Sequence, residues 1–598
     1  MSGAADTSIT LCDAFQARIA VAPDTVALRT PGDRISITWR QYGERVRTIA
    51  AGLAALGVGR GDTVALMLVN RPEFHLCDTA ALHLGAAPYS VYNTSSPEQI
   101  AYLVGNAGST VAITERAFLP KIREVSGIEK IVCVDGPAEG AITLDELEAG
   151  GSADFDFEAS WRAVEPTDLA TIIYTSGTTG PPKGVELTHH NLTAEGKAIE
   201  AIYHLEAGWQ ILSYLPAAHI ADRVTSHYSM MLFGAVTTCL DDPRKIAATL
   251  PDTRPHLFFG VPRVWEKAKS AIETGLAAEP SPVKRNIARW AIGVGARVAR
   301  CTLAGRPVPA PLAVQYRIAD TLVLSKLRHR LGLDRAQICL SSAAPIAPET
   351  LEYFWGLGLS MYELWGMSET AGMSTSNAPG AVKLGTVGPV VPGTEVTLAA
   401  DDELLVRGPT VMRGYRNDPA KTAEAIDPDG WLHTGDIATI DADGYVKIVD
   451  RKKELIINQA GKNMSPANIE NAVKANCSLV GPVVAIGDAR PFVSALVVLD
   501  PEAAAALATR HGLTETSPAA LATHPEIRAT VLAGVKAGNE KLARVEQIKR
   551  FRILPTTWEP GGDELTPTLK LRRKPIAEKY QHEIDEMYTG SADTIEVK

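Results

Sequence analysis

The chain has 598 residues, 45% hydrophobic and 21% charged, with a formal net charge of −10. This composition excludes a mostly disordered chain, and the negative balance argues against a protein whose main task is gripping nucleic acid. Seven scattered cysteines with no CxxC pair argue against a disulfide framework or a zinc site and fit a reducing compartment.

No basic segment followed by an apolar core opens the sequence, and no run approaches the ~20 apolar residues of a spanning helix. The expectation is a cytoplasmic protein that at most touches a membrane surface. Thr38 precedes a helical run in which Tyr42, Val46, Ile49, Leu53 and Leu56 recur at helical spacing until Gly57 stops it. A strand is expected over Thr63 to Val69, a helix from Pro72, and a strand over Tyr89 to Tyr92. Ser96 reads as an N-cap with Pro97 at the first helical position, ahead of a strand over Ser109 to Thr114. The pattern recurs at Leu169 to Tyr174, Leu257 to Gly260, Ile338 to Ser341 and Met361 to Leu364. This β-α-β alternation predicts an α/β fold with a doubly wound, mainly parallel sheet, whose ligands bind beyond the carboxyl ends of the strands. Past the charged run Asp450 to Glu454 the pattern changes, so two domains are expected: a large one over 1–451 and a small, mobile α+β one over 452–598.

The densest local signal is Tyr174-Thr-Ser-Gly-Thr-Thr-Gly-Pro-Pro-Lys-Gly184. Gly177 and Gly180 permit close backbone approach, Thr175, Ser176, Thr178 and Thr179 offer hydroxyls, and Lys183 adds a positive charge, so the loop reads as an anion cradle. Its spacing is not that of a Walker A loop, and HExxH, GxSxG and complete GxGxxG patterns are absent from the sequence.

This loop resembles the signature of adenylate-forming enzymes, the superfamily of acyl-CoA synthetases, luciferases and peptide-synthetase adenylation domains. Later segments resemble the family's motifs in family order. Ser341-Ser-Ala-Ala-Pro345 looks like the adenine-contacting segment, implying Ala343 and Ala344, with Ser342 where many relatives have Gly. Tyr362-Glu-Leu-Trp-Gly-Met-Ser-Glu-Thr370 looks like the motif whose aromatic neighbours the adenine, which implicates Tyr362, Trp365, Gly366, Met367 and Ser368. By the same resemblance Glu369 helps hold Mg²⁺ and Thr370 contacts phosphate. Asp436 and Arg451 match the residues that meet the ribose, Lys570 the mobile adenylation lysine, Lys453 the hinge, and Gly461 the glycine beside which pantetheine threads.

The resemblance implies that a carboxylate attacks the α-phosphate of ATP, and that CoA thiolate then displaces AMP. Charge builds on the phosphates in the first step, which is why Lys183, Glu369 with Mg²⁺, and the loop donors are needed there. His219 and Trp265 lie in segments that look like those of long-chain fatty acyl-CoA synthetases of the bubblegum type, with Trp265 as the gate of an apolar tunnel. The stripe Met230, Met231, Leu232 and Phe233 is either a tunnel lining or ordinary core. Long-chain fatty acid is therefore the expected substrate. Open alternatives are a fatty acyl-AMP ligase feeding a carrier protein, a CoA ligase for another acid, and a catalytically dead nucleotide- or lipid-binding homologue. Fatty acids partition into bilayers, so peripheral membrane contact is expected, yet no amphipathic basic helix stands out. Chain-length preference and oligomeric state leave no mark in the sequence.

Overall fold

The structure is a computed structural model that describes residues 9–175, 181–457, 463–513, 515–566, 569–590 and 593–597. Local signals act as read. Thr38 and Ser96 each close a capping box, with Gln41 and Gln99, and so satisfy the first free amides of helices Trp39–Ala55 and Pro97–Ala107. Short buried strands alternate with those helices and build two parallel arrays. The first is an all-parallel five-stranded sheet ordered Ala87–Ser90, Thr63–Met67, Val111–Thr114, Lys130–Cys133, Ile142–Thr143.

The second sheet has eight strands. Its inner members run parallel in the order Met361–Trp365, Ile338–Ser341, Leu257–Gly260, Gln210–Ser213, Val236–Cys239, Val26–Arg29. Antiparallel strands Thr375–Ser376 and Ser36–Thr38 close its edges. Parallel strands need both faces covered, and the largest core cluster, from Leu11 to Leu432, supplies that cover.

The strand at Leu169 departs from the expected parallel pattern. Leu169–Thr175 pairs antiparallel with Lys183–Thr188, with Thr175 opposite Lys183. The segment between them is too short for the crossover that parallel strands require, so the anion-cradle sequence spans a hairpin. The cradle residues Ser176, Gly177, Thr178, Thr179 and Gly180 lie outside the described residues.

A separate C-terminal domain follows, with its own core around Ile469, Val483, Val497 and Phe551. Its four-stranded mixed sheet is ordered Val480–Ile486, Val493–Leu499, Ile548–Ile553, Ile595–Glu596. Ion pairs hold it against the large domain: Arg263 with Asp500, Lys267 with Glu502 at 2.9 Å, and Lys541 with Glu349 at 2.6 Å. Among the described residues no helix is long and apolar enough to cross a membrane.

Candidate active site

Strands Leu257–Gly260, Ile338–Ser341 and Met361–Trp365 end side by side. The segments leaving their carboxyl ends line a cleft of about 2140 Å³ that the C-terminal domain covers. Parallel strand order therefore brings together Val261, Ala343 and Gly366, which lie far apart in sequence.

Ala343 adopts φ +72°, a left-handed conformation that costs a residue with a Cβ. It stands with Ser342, Ala344 and Pro345 on the cleft wall. Gly366 is required sterically, since a Cβ there would fall 1.5 Å from the Gly372 carbonyl oxygen. Packing partners decide which aromatic of Met361–Trp365 meets the cleft, since side chains from both faces of the strand line it. Trp365 faces it and donates from Nε1 to Asp436 Oδ2 at 2.8 Å. Tyr362 instead turns into the core between Tyr203 and Trp355, which removes it from the cleft wall. Met367 and Ser368 continue the wall. Thr370 does not reach it: the residue is fully buried, and its hydroxyl exchanges hydrogen bonds with the backbone of Met367, closing its own turn.

Asp436 and Arg451 sit opposite each other on antiparallel strands Leu432–Ile440 and Val446–Arg451. Arg451 Nε lies 2.9 Å from Asp436 Oδ1, so each carboxylate oxygen of this buried Asp already has one donor and keeps room for another. The Asp436 charge lifts the Arg451 pKa above its ordinary value.

Glu369, also buried, accepts from the Tyr415 hydroxyl at 3.0 Å. The Tyr415 ring lies 4.5 Å below Lys183 Nζ, a cation–π contact. Tyr415 was not foreseen. It is brought there because Gly414–Tyr415 pairs with Val185 and Glu186, a non-local pairing with no local sequence mark. Thr175 lines the cleft at the mouth of the hairpin. No group of three or more His, Cys, Asp or Glu that could hold a metal ion occurs among the described residues. One cleft carboxylate, Glu369, suits Mg²⁺, which keeps waters and takes further oxygens from phosphates.

Lys570 enters from the C-terminal domain. Thr566 N donates to Lys570 O at 2.8 Å and Lys570 N to Thr566 Oγ1 at 3.0 Å, so the lysine is pinned to Thr566 at the close of a short turn. Its side chain lines the cleft in the field of Arg451, Asp436 and Glu369. Loss of solvent between the cleft walls pulls its pKa below the ordinary lysine range, Arg451 adds to that pull, and Asp436, Glu369 and Glu454 oppose it. Nearby Arg573 is bound by Glu470 at 2.6 Å and Glu454 at 3.1 Å, so part of the basic tail is internal structure. His219 lines the same cleft, with Nδ1 accepting from Ala221 N at 3.1 Å. Burial, helped by the Lys570 charge, holds His219 down at about 3, so the imidazole is neutral.

Past His219 the cleft continues among apolar side chains that include Ile199, Val224, Phe259, Leu364 and Met373. Part of this wall is a π-helix, Arg223–Tyr228, of the kind that recurs at functional sites. Its inward face is anchored by a fully buried ion pair, Arg223 with Asp78 at 2.8 Å, while His227 Nε2 meets the other Asp78 oxygen at 2.8 Å. Burial alone would raise the Asp78 pKa, but Arg223 and His227 hold it below the usual carboxylate range. Met230, Met231, Leu232 and Phe233 pack into the main core, away from the cleft, so the stripe is core. Trp265 is packed behind the wall, edge-on to Phe258 and Phe354, with Nε1 donating to Gly260 O at 3.0 Å and Leu340 O at 3.2 Å.

Two further carboxyls were missed because neither sits in a recognisable spacing. Glu363 lies on the cleft wall near Ala343, and burial pushes its pKa up to about 8. Glu195 borders the apolar part, accepts from Met373 N at 2.7 Å, and is raised well above the carboxylate range by burial. Lys453 is exposed in the turn leaving strand Val446–Arg451, between the two domains. Gly461 lies outside the described residues.

Residues 15–416 match the family described as AMP-binding enzyme, and residues 453–592 match the AMP-binding enzyme C-terminal domain. FadD11 of Mycobacterium tuberculosis, provisionally named a fatty-acid–CoA ligase, is 55% identical over 76% of this chain and 79% of its own. ACSBG2 of Xenopus laevis, a long-chain-fatty-acid–CoA ligase, is 32% identical over 98% of this chain and 85% of its own. Among solved structures, the adenylation domain of a carboxylate reductase from Mycobacterium chelonae has a TM-score of 0.77 at 19% identity, covering 98% of this chain and 92% of its own, a likeness of fold. With family matches spanning both domains, the chain belongs to the AMP-binding enzyme family.

Proposed function

We propose that this protein converts long-chain fatty acids to fatty acyl-CoA through an acyl-adenylate, consuming ATP and releasing pyrophosphate and AMP. The observation that carries this reading is the entry of Lys570, from the small domain, into the field of Glu369, Asp436 and Arg451 in a cleft that apolar side chains also line. A fatty carboxylate seated in the apolar part would bring its head into that field, and each buried CH₂ contributes about 0.8 kcal/mol.

In the first step a carboxylate oxygen bonds to the α-phosphorus of ATP, and the bond to pyrophosphate breaks. Lys570 would bridge the two anions and fix the line of attack, which matters because positioning dominates such transfers. The arriving anions would draw the depressed Lys570 pKa back up and keep it charged. Asp436 would accept from the ribose hydroxyls, Arg451 would reach the same sugar, and Trp365 with Ala343 and Ala344 would border the base. Lys183 and the cradle Ser176 to Gly180 would neutralise the phosphates. Mg²⁺, held by Glu369 with water and phosphate oxygens, would supply charge neutralisation. Neutral His219 would sit beside the fatty carboxylate without competing with Lys570 for its charge.

In the second step CoA thiolate attacks the acyl carbon and AMP leaves. The domains would part about Lys453, with the boundary at 451/452, and pantetheine would pass Gly461. Trp265 would act as a gate only by giving up its bonds to Gly260 and Leu340. Because fatty acids concentrate in bilayers, the enzyme would do its work at a membrane surface.

The test is a product assay with palmitate, ATP and Mg²⁺, with and without CoA. Palmitoyl-CoA and AMP that form only with CoA are expected. Palmitoyl-AMP that persists despite CoA would make the protein an acyl-AMP ligase, and no turnover of any acid would overturn the enzymatic reading.

A further inference from the structure

Between the helix that carries Trp265 and strand Ile338–Ser341, the chain forms a helical hairpin that the proposed reaction does not use. Helix Pro282–Leu303 is followed by Ala310–Ala319, a π-turn Asp320–Leu324 and Ser325–Arg330. Their inner faces hold Ala291, Val294, Leu312 and Leu324 in the same cluster as Trp265. Their outer faces are unusual. Val283, Ile287 and Trp290 recur at spacings of four and three, Val314, Ile318 and Leu322 at spacings of four, and all six are between 39% and 67% exposed. A six-residue connection, 304–309, joins the arms and Arg297 donates to Gln315 Oε1 at 2.7 Å, so the arms run antiparallel with the Trp290 end toward the Leu322 end.

Charge is as uneven as hydropathy. Residues 282–330 carry ten lysines and arginines against one carboxylate, Asp320, in a chain whose net charge is −10. Lys284, Arg289, Arg317 and Lys326 are exposed beside the apolar stripes, and no ion pair engages them among the described residues. The basic amphipathic helix absent from the sequence reading is therefore present. It escapes notice there because Ala288, Ala291 and Gly295 on its buried side leave no strong apolar face against which the exposed stripe would stand out.

We propose that this hairpin docks the protein on an anionic lipid bilayer, with Trp290, Ile318 and Leu322 seated at the headgroup boundary and the flanking cations on lipid phosphates. The pairing rests on charge complementarity. A second copy would bring the same cationic face against itself, as an isologous contact must, and the cations would repel. The stripes also stand on convex helices with cations interleaved, a geometry suited to a yielding surface in which long side chains snorkel outward. Naming the lipid charge and the docking face deepens the membrane-surface reading given above. The docking step itself does not depend on catalysis.

The experiment is co-sedimentation of the full chain with vesicles of phosphatidylcholine alone or with about 30% phosphatidylglycerol, at about 0.05 M and about 0.5 M salt. Two triple variants accompany the wild type: Trp290→Ser/Ile318→Ser/Leu322→Ser and Arg289→Gln/Arg317→Gln/Lys326→Gln. All six positions are exposed, and unchanged melting temperatures verify folding. Wild-type protein should bind the anionic vesicles at least about tenfold better than the neutral ones, lose that preference at high salt, and lose binding in both variants. Wild-type protein left in the supernatant with anionic vesicles would overturn the proposal, as would variants that bind like wild type. A dimer in solution that the serine variant dissociates would assign the face to a second copy and overturn it too. Vesicle binding without turnover of any fatty acid would leave the docking face standing while the ligase reading fell.

Discussion

The two sides of the cleft are built by different physics. On the large-domain side, Asp436, Arg451 and Trp365 are fixed by strand register and short hydrogen bonds in a buried setting, and the π-helix wall rests on the buried Arg223–Asp78 pair. On the small-domain side, Lys570 is held in place by a short turn whose domain is tied down by rim ion pairs such as Lys267–Glu502 and Lys541–Glu349. Exposed pairs of that kind contribute about 0–1 kcal/mol each and are screened by salt. One side is therefore permanent. The other is held loosely enough for the movement that the proposed second half-reaction requires.

The largest effect should come from cutting into the permanent side. Asp78→Asn leaves Arg223 buried without its counter-charge, and should cost about 3–5 kcal/mol in denaturant unfolding. A loss under about 1 kcal/mol would show that the π-helix does not depend on the pair. Lys570→Ala should leave stability untouched and lower acyl-adenylate formation about 10²–10³-fold, while thiolysis of a supplied adenylate is retained. Equal loss in both half-reactions would erase the contrast between the two sides.

A smaller effect is set by pH. Glu363 has a folded-state pKa raised to about 8, above its unfolded value near 4.5, so the folded state holds the extra proton between those values. Its contribution to stability is greatest below about 4.5, falls as pH rises through that window, and is fully lost above about 8. Unfolding midpoints should therefore fall less steeply between pH 5 and about 8 in Glu363→Gln than in wild type. Parallel curves would place the titration elsewhere. The smallest effect belongs to the rim. Lys541→Ala and Lys267→Ala should each change stability by less than about 1 kcal/mol. Single-turnover assays should nevertheless show adenylation slowed more than thiolysis, since the arrangement seen is the one with Lys570 inward.

Much of the polar side of the cleft was legible because its constraints are local. A glycine at 366 and a carboxylate two residues after Thr434 each leave a mark in a few adjacent letters. The apolar side was not. Whether Val224 or Met230 meets the cavity depends on a π-helical turn and on which neighbour covers each face, and short apolar runs do not carry that information.

By itself the sequence determined the alternation of strands and helices, the capping boxes at Thr38 and Ser96, the division into a large and a small domain, and the order of the motifs. These follow from period, propensity and turn chemistry, all of which act over a few residues. Only the tertiary structure decided that Trp365 and not Tyr362 faces the cleft, that Thr370 closes its own turn, that Tyr415 lies between Lys183 and Glu369, and that Lys570 enters the field of Asp436 from another domain. The physical reason is that strand alternation turns neighbouring side chains to opposite faces. Which of these side chains border the cleft is then set by packing partners that lie tens to hundreds of residues away.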